Sequence, residues 1–231
     1  MPLSLAQRSV WLDTLLGGDK AAYQLGTITE IPVELDLDLA TQAVRQLVGC
    51  HDAMRLRVSA DSPHQWLASP GEPPVRALDV SNVENPEAAF DAHVQETLGE
   101  GFALGDEPLF KIHFVRLGPA AWRVLFVFHH LLADGVSLMI GQSAWLAAYK
   151  RLAEPESVED ALPLPRSTFL PVVADDAAYE ASDRFKADIA HFRQRLMELP
   201  PLLFEGRPRP ASGTPHAEVK DIHLVGPRYG A

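Results

Sequence analysis

An α/β domain built on an antiparallel strand pair is what this sequence predicts, and three features predict it. Phe110, Ile112 and Phe114 alternate with Lys111, His113 and Val115; Gly118-Pro119 turns the chain; Trp122–Phe128 returns as WRVLFVF. Alternation marks a strand with one buried face, and a run that is nearly all apolar marks a strand buried on both. Amphipathic helical segments precede and follow this pair. Finally, 231 residues at 47% apolar and 22% charged suffice for one large domain or two small ones with a substantial core.

The elements follow in order. Ser4 is a good N-cap for an amphipathic run, Leu5–Leu16, that meets Gly17-Gly18, a good stop. Thr27–Val33 is β-rich. Asp36 or Asp38 then caps a helix with Leu39, Ala43 and Leu47 on one face and Val44 and Val48 beside them. Met54–Ser59 and His64–Ala68 flank Asp61-Ser62-Pro63 as a hairpin. Pro86–Leu98 is a third helix, with Ala89, Phe90, His93, Val94 and Thr97 near one face. After the strand pair, a helix runs from Val136 to about Leu152 and ends in Lys150-Arg151, as the helix dipole favours. Proline clusters in Pro155–Pro171 and Pro200–Pro215, which read as connectors around one long helix, roughly Asp175–Leu199. Val219–Val225 is strand-like. The expected division is 1–152 as a compact lobe, 153–218 as connectors and helix, and 219–231 as the start of a further lobe.

Charge and cysteine content exclude several functions. Against 20 Lys+Arg stand 31 Asp+Glu, a formal charge of −11. Nucleic-acid and anionic-membrane surfaces need Lys and Arg, so neither is an expected partner. The lone cysteine, Cys50, allows no disulfide within the chain and no Cys-rich zinc site. The stretch Met1–Gly18 has no basic n-region, and the longest apolar runs, Val124–Phe128 and Ala144–Tyr149, are core-sized. The expected location is the cytoplasm.

Chemistry concentrates in HHLLADG, His129–Gly135, at the C-terminal end of the central strand and before a helix. Open α/β sheets place ligands there. The segment has three readings. The histidines are satisfied polar groups and Asp134-Gly135 a helix cap and turn. Alternatively, His130 and Asp134 belong to a metal site, although the chain has no HExxH. In the third reading a histidine, its ring oriented by neighbours, acts as an acid–base catalyst.

The stretch Phe128–Ser137, FHHLLADGVS, resembles the HHxxxDG signature of condensation domains of nonribosomal peptide synthetases. Ser4–Trp11 is similar to the family's SxAQxxxW opening. Cys50–Arg55 is similar to its RHExLR motif, with Cys50, Asp52 and Met54 replacing Arg, Glu and Leu. Phe102-Ala103-Leu104 with Pro108-Leu109-Phe110 is similar to FDLxxxPLF, with Ala103 in place of Asp. The helix with Tyr179 and Phe192 and the following Leu199-Pro200 resemble the crossover after the first lobe.

The resemblance implies a chloramphenicol-acetyltransferase-like lobe: a two-layer α/β (α+β) sandwich whose mixed, largely antiparallel sheet is covered by helices. A second lobe would close a tunnel over the histidines, so the chain reads as about half of a domain and as inactive alone. Its implied activity is amide formation between a donor acyl thioester and an acceptor aminoacyl thioester. Both substrates ride on phosphopantetheine arms of carrier proteins, and no cofactor is bound directly. The Ser4–Trp11 opening favours condensation over epimerisation, the start at Met1 suggests a donor on a separate protein, and Tyr23 and Thr27–Glu30, with HHLLADG, are most like starter or aryl/acyl-accepting members. His130 is implied as base or amine-positioning group and His129 as structural. Gly135 would allow a tight turn and close ligand approach, with its N–H toward an oxyanion. Asp134 would fix the loop by a charge-assisted pair, with Arg55 the first candidate partner and Arg8 the second. A noncatalytic carrier-protein-binding module and an ester-forming or epimerisation relative on the same fold are the alternatives.

Overall fold

The computed structural model describes residues 1–16, 21–154 and 167–197. The Gly17-Gly18 stop, most of Pro155–Pro171, Pro200–Pro215 and Val219–Val225 lie outside the described residues.

Helix α1, Leu5–Leu15, starts with a capping box: the Ser4 hydroxyl accepts from Gln7 N–H while the Gln7 side chain accepts from Ser4 N–H. Strand β1, Gln24–Ile31, leads to α2, Leu37–Cys50. Of the two candidate caps, Asp36 is the one used; it accepts from Asp38 and Leu39 N–H, and Asp38 sits in the first turn, where the dipole favours it. Ala40, Ala43, Val44, Leu47 and Val48 are buried, whereas Leu39 is only half-buried. A 3₁₀ turn, Asp52–Arg55, precedes the hairpin of β2, Leu56–Val58, and β3, Gln65–Leu67. Asn85 caps α3, Pro86–Glu100, with proline in its first turn.

The main sheet has order β1-β6-β5-β4, with β4 Val75–Asp79, β5 Phe110–Gly118 and β6 Ala121–His129. Only the β4–β5 pair is parallel, so the sheet is mixed and largely antiparallel, as expected. β6 is interior, which is why WRVLFVF is apolar on both faces. One face of β5 and β6 carries the main core: Ile112, Phe114, Val124, Phe126 and Phe128 pack with α2 and with Trp145 of α4, Gly135–Ala153. Trp145 is fully buried, lies against Phe114 and Phe126, and donates to the Ala40 carbonyl at 3.2 Å. On the other face α3 meets β5 through His93 and His113, 2.9 Å apart between ring nitrogens.

Two differences from the sequence reading have local causes. β4 was not expected; it is a short edge strand with little burial, so it carries no clear period. The long helix expected over Asp175–Leu199 is two helices, α5 Leu170–Glu180 and α6 Asp183–Leu196. Ser182 separates them. Its hydroxyl donates to the Tyr179 carbonyl at 2.6 Å and accepts from Phe185 N–H at 3.2 Å, capping α6. Serine mid-pattern competes with helix in this way. The Phe185, Ile189, Phe192 and Leu196 stripe lies on α6, with Phe192 and Leu196 each 60% exposed. α5 is fastened to α1 by Leu5 N–H to Asp176 at 2.7 Å and by the Arg8–Glu180 ion pair.

Buried imidazoles make the fold acid-sensitive. Burial lowers the pKa of His113 to about 4, aided by His93, Arg76 and Lys111 against the opposing Glu100; burial likewise lowers that of His93, where Glu96 and Glu100 oppose Arg76. Burial also lowers His129 to about 4, with His130 as the lesser cause. These rings are neutral in the fold, while the unfolded chain takes up protons below its ordinary histidine value near 6.5. Their contribution to stability is therefore level above about pH 6.5 and declines as pH drops toward 4, by at most about 1.4 kcal/mol per pH unit for His113 and for His129. Urea midpoints measured from pH 8 to 4.5 are expected to show that decline, and His113→Gln should make it shallower, with the His129 part remaining. A slope unchanged by that substitution would remove His113 as a cause.

Candidate active site

β6 delivers the double histidine to the edge of the core and then stops. His129, its last residue, is 2% exposed. Its Nδ1 accepts from Leu131 N–H at 3.1 Å, which fixes the neutral tautomer with hydrogen on Nε2. The ring lies between Tyr23 and Phe102, with centroids 6.3 and 6.0 Å away. Its backbone N–H donates to the Leu109 carbonyl. The next residue, His130, is exposed, and its backbone N–H donates to the Tyr23 carbonyl at 2.8 Å. One ring is thus locked inside and the other presented outward from a fixed backbone.

The loop is held from a second side by a contact that sequence reasoning missed. Gln7 is 4% exposed, and its Nε2 donates to the Leu131 carbonyl at 3.0 Å. The same amide pairs reciprocally with Gln65, at 2.9 and 2.8 Å, and Gln65 also donates to the Pro2 carbonyl. Trp11 donates to the Ser59 carbonyl at 2.7 Å. The Ser4–Trp11 segment therefore caps its own helix and positions the residue after His130. The AQ pair was the available signal, since a glutamine on the inner face of a helix must find partners.

Asp134 does not pair with Arg55 or Arg8. It is the N-cap of α4, accepting from Ser137 N–H at 2.8 Å and from the Ser137 hydroxyl at 2.6 Å through one oxygen. Those bonds, the hydroxyl's foremost, hold its pKa below the ordinary value. Arg8 is taken by Glu180, and among the described residues the Arg55 side chain reaches only the Ala68 carbonyl, at 3.5 Å. The cap satisfies a first-turn donor next to its own residue, a shorter route than a long-range ion pair. Asp134→Ala is expected to cost about 1 kcal/mol by loss of the cap, read as a lower melting temperature, with Asp134→Asn close to wild type. A stable but inactive Asp134→Ala would instead give the aspartate a part in the chemistry.

Gly135 needs no turn-forming freedom, because its φ is not among the positive ones. A Cβ there would meet nothing within 4 Å, so the glycine leaves open space at the start of α4. Its N–H is one of the first-turn donors that a helix leaves without an intrahelical partner. Beside it Val136, Met139 and Ile140 are 65, 68 and 53% exposed, an apolar patch at the mouth of the loop.

Behind the loop lies a cavity of about 290 Å³. Leu47, Met54, Phe128, Leu132 and Ile140 supply its apolar wall; His51, Ser137 and Ser167 also line it, and His130 does not. The Cys50–Arg55 segment builds the side opposite α4. It holds the chain at 167–169: Ser167 N–H donates to the Cys50 carbonyl, and the buried Asp52 carboxylate accepts from Phe169 N–H at 2.7 Å. Among the described residues no group of three His, Cys, Asp or Glu converges as a metal site would require, and no helix is long and apolar enough to cross a membrane.

A mixed sheet under helices, ending in a double-histidine loop, is the chloramphenicol-acetyltransferase-like fold, and the solved structures that superpose on the chain share it. Within that class the chain belongs to the condensation domain family, whose model matches residues 1–224. It is 26% identical to a component of the plipastatin synthase of Bacillus subtilis over 189 residues, 80% of this chain and 7% of the relative. It is 26% identical to a component of the linear gramicidin synthase of Brevibacillus parabrevis over 230 residues, 97% of this chain and 4% of the relative. The starter condensation domain of the rhizomide synthetase, a mutant in complex with C8-CoA and Leu-SNAC, superposes with a TM-score of 0.78 at 23% identity, over 90% of this chain and 48% of its own. The first condensation domain of the calcium-dependent antibiotic synthetase, in complex with a substrate analogue, gives 0.71 at 25%, over 86% and 48%. The chain thus spans about half the length of the solved domains it matches and under a tenth of these synthetases.

Proposed function

We propose that this chain supplies the histidine half of an amide-forming site, which joins a donor acyl thioester to the α-amine of an acceptor aminoacyl thioester. Both substrates would be presented by carrier proteins on phosphopantetheine arms, with no cofactor held by the chain itself. The observation that carries the reading is the presentation of His130: an exposed ring on a backbone pinned by Tyr23, with its neighbours fixed by His129 and Gln7.

The chemistry asks little of the base. An α-amine with a pKa near 8 is about one-tenth neutral at pH 7, a penalty of roughly 1.4 kcal/mol. Thioesters are already activated. Holding the two reactants in line contributes on the order of 7–11 kcal/mol, and a positioned base a factor of about 10² to 10⁴. Positioning therefore dominates. His130 accepts the amine proton as the nitrogen–carbon bond forms, and returns it to the thiolate as the carbon–sulfur bond breaks. Gly135 N–H, at the positive end of α4, faces the developing oxyanion. His129 and Asp134 hold the loop and the helix start, and Arg55 supports the Ala68 turn.

The donor's acyl chain would lie in the cavity behind the loop. A cavity of about 150 Å³ takes a six-carbon ring, so one of about 290 Å³ has room for roughly eight to twelve carbons. The eight-carbon chain of the C8-CoA held by the rhizomide neighbour is of that size class. Residues 1–152 would form the N-terminal lobe, and the exposed Val136, Met139 and Ile140 would line the cleft that a second lobe covers.

The test is an amide-formation assay with acyl and aminoacyl carrier proteins, in a chain extended to the length of the solved domains, run beside a carrier-binding titration. Product formation that depends on His130 supports the reading. Carrier binding without product would favour a noncatalytic docking module.

A further inference from the structure

The main sheet ends on one side at β1, and among the described residues no strand pairs with its outer edge. One bond fixes which backbone groups point outward. His130 N–H donates to the Tyr23 carbonyl. Hydrogen-bonded pairs recur at every second position of an antiparallel ladder, so Leu25, Thr27, Thr29 and Ile31 exchange their bonds with β6. Gln24, Gly26, Ile28 and Glu30 turn theirs away from it. Gln24 N–H is used in a turn, on the Ala21 carbonyl, and Pro32, just past the strand, has no N–H. The outward donors of the strand are therefore those of Gly26, Ile28 and Glu30.

Folds blunt exposed sheet edges with short strands, proline, charge or bulges, because a bare edge is a template for another strand. The opposite edge, β4, is treated in this way: it has five residues, follows Pro73-Pro74, and carries Arg76 and Asp79. β1 has eight residues, no proline and no lysine, and its register with β6 is unbroken. Its one charged residue, Glu30, is answered by Arg123 at 3.2 Å. At the middle of the strand Ile28 is 43% exposed.

We infer that β1 is a self-association edge: a second copy of this chain adds its β1 antiparallel to the first, and two four-stranded sheets become one across a two-fold axis at Ile28. The edge is complementary to itself in that register. Ile28 faces the partner's Ile28, Thr27 faces the partner's Thr29, and Leu25 faces the partner's Ile31. Such β-branched and Thr–Thr pairs stabilise antiparallel strands. Glu30 faces the partner's Gly26, so no like charges meet. The outward groups also match, because Ile28 with its counterpart, and Gly26 with Glu30 in both directions, each form a pair that exchanges two main-chain bonds. Moving the axis to Thr27 or to Thr29 would set Ile28 against Gly26 or Glu30 and part the two isoleucines.

The experiment follows the 231-residue chain by sedimentation and by amide hydrogen exchange over about 5–300 µM, the range suited to a contact this small. A dimer is expected to grow in across that range. Exchange at the Gly26, Ile28 and Glu30 amides should slow about threefold or more from the lowest concentration to the highest, while Thr27 and Thr29, already bonded to β6, should not respond. Ile28→Lys sets two like charges opposite each other at the axis and should weaken the dimer about tenfold or more. Ile28→Cys, in a Cys50→Ser background, tests the register: directly opposed residues of a hydrogen-bonded pair lie about 5.5 Å apart between Cα atoms, within disulfide reach, so mild oxidation should link the dimer. Val33→Cys in the same background, exposed but past the ladder, should link far less. A chain that stays monomeric at every concentration overturns the inference. So does a dimer that survives Ile28→Lys with exchange at the three outward amides unchanged, which would place the contact elsewhere, as on the exposed stripe of α6. Slow exchange of those amides at every concentration in a monomer would put a segment of the same chain on the edge and overturns it as well.

Discussion

Replacing His130 by alanine, in a chain extended to the length of the solved condensation domains, is expected to cut amide formation by about 10² to 10⁴-fold and to leave the melting temperature within about 2 °C. The two halves of that expectation have separate causes. The rate loss is what a positioned general base contributes, and the remaining turnover is what alignment of two tethered substrates supplies without it. The thermal stability is kept because the ring is exposed, and the bond that anchors the residue is from its backbone N–H to Tyr23, which alanine also makes. Carrier binding should be unchanged, so the loss appears in single-turnover rate at saturating substrate. Turnover equal to wild type would remove the imidazole from the mechanism. A collapse in melting temperature would mean that the ring is structural, as His129 is.

That contrast between adjacent histidines was legible in the sequence only in part. Strand alternation separates the two rings onto opposite faces, which WRVLFVFHH shows once it is read as a strand; the exposure of the second follows from the strand ending at His129, which alternation does not reveal. The first two helix caps were also legible, because Ser4 and Asp36 act within a few positions of themselves. The expected Asp134–Arg55 pair failed for the same reason in reverse. An aspartate just before a helix satisfies the nearest orphan N–H before it reaches for a distant guanidinium. What periodicity cannot carry is pairing across the fold. The bonds from Gln7 to Gln65 and Leu131 span 58 and 124 positions, and the one from His51 to Ser167 spans 116. None leaves a repeat or a composition shift. Each is visible beforehand only as a polar residue in a place that must be buried.

Gln7 is where such a contact should matter most for the fold. Gln7→Ala is expected to lower stability by about 2–4 kcal/mol, a fall in melting temperature on the order of 10 °C for a chain of this size. The amide serves three neighbours: it accepts from Ser4 N–H, exchanges two bonds with Gln65, and donates to the Leu131 carbonyl. Alanine removes all of these at once and leaves the Gln65 amide, 1% exposed, and a carbonyl in a 2% exposed residue facing an apolar gap. Stranded partners, rather than lost bonds, set the size of the effect, since an intramolecular bond replaces one to water but an orphaned buried group replaces nothing. The double variant Gln7→Leu with Gln65→Leu separates the two. It removes the amide pair from both sides, so it should recover part of the loss, with the Ser4 N–H and the Leu131 and Pro2 carbonyls still without those partners. Because Leu131 follows His130, the single variant should also slow amide formation more than its stability predicts at a temperature where it remains folded. A melting temperature within about 2–3 °C of wild type for Gln7→Ala would show that water enters and takes the glutamine's place, and the loop would then owe its position to His129 and Tyr23.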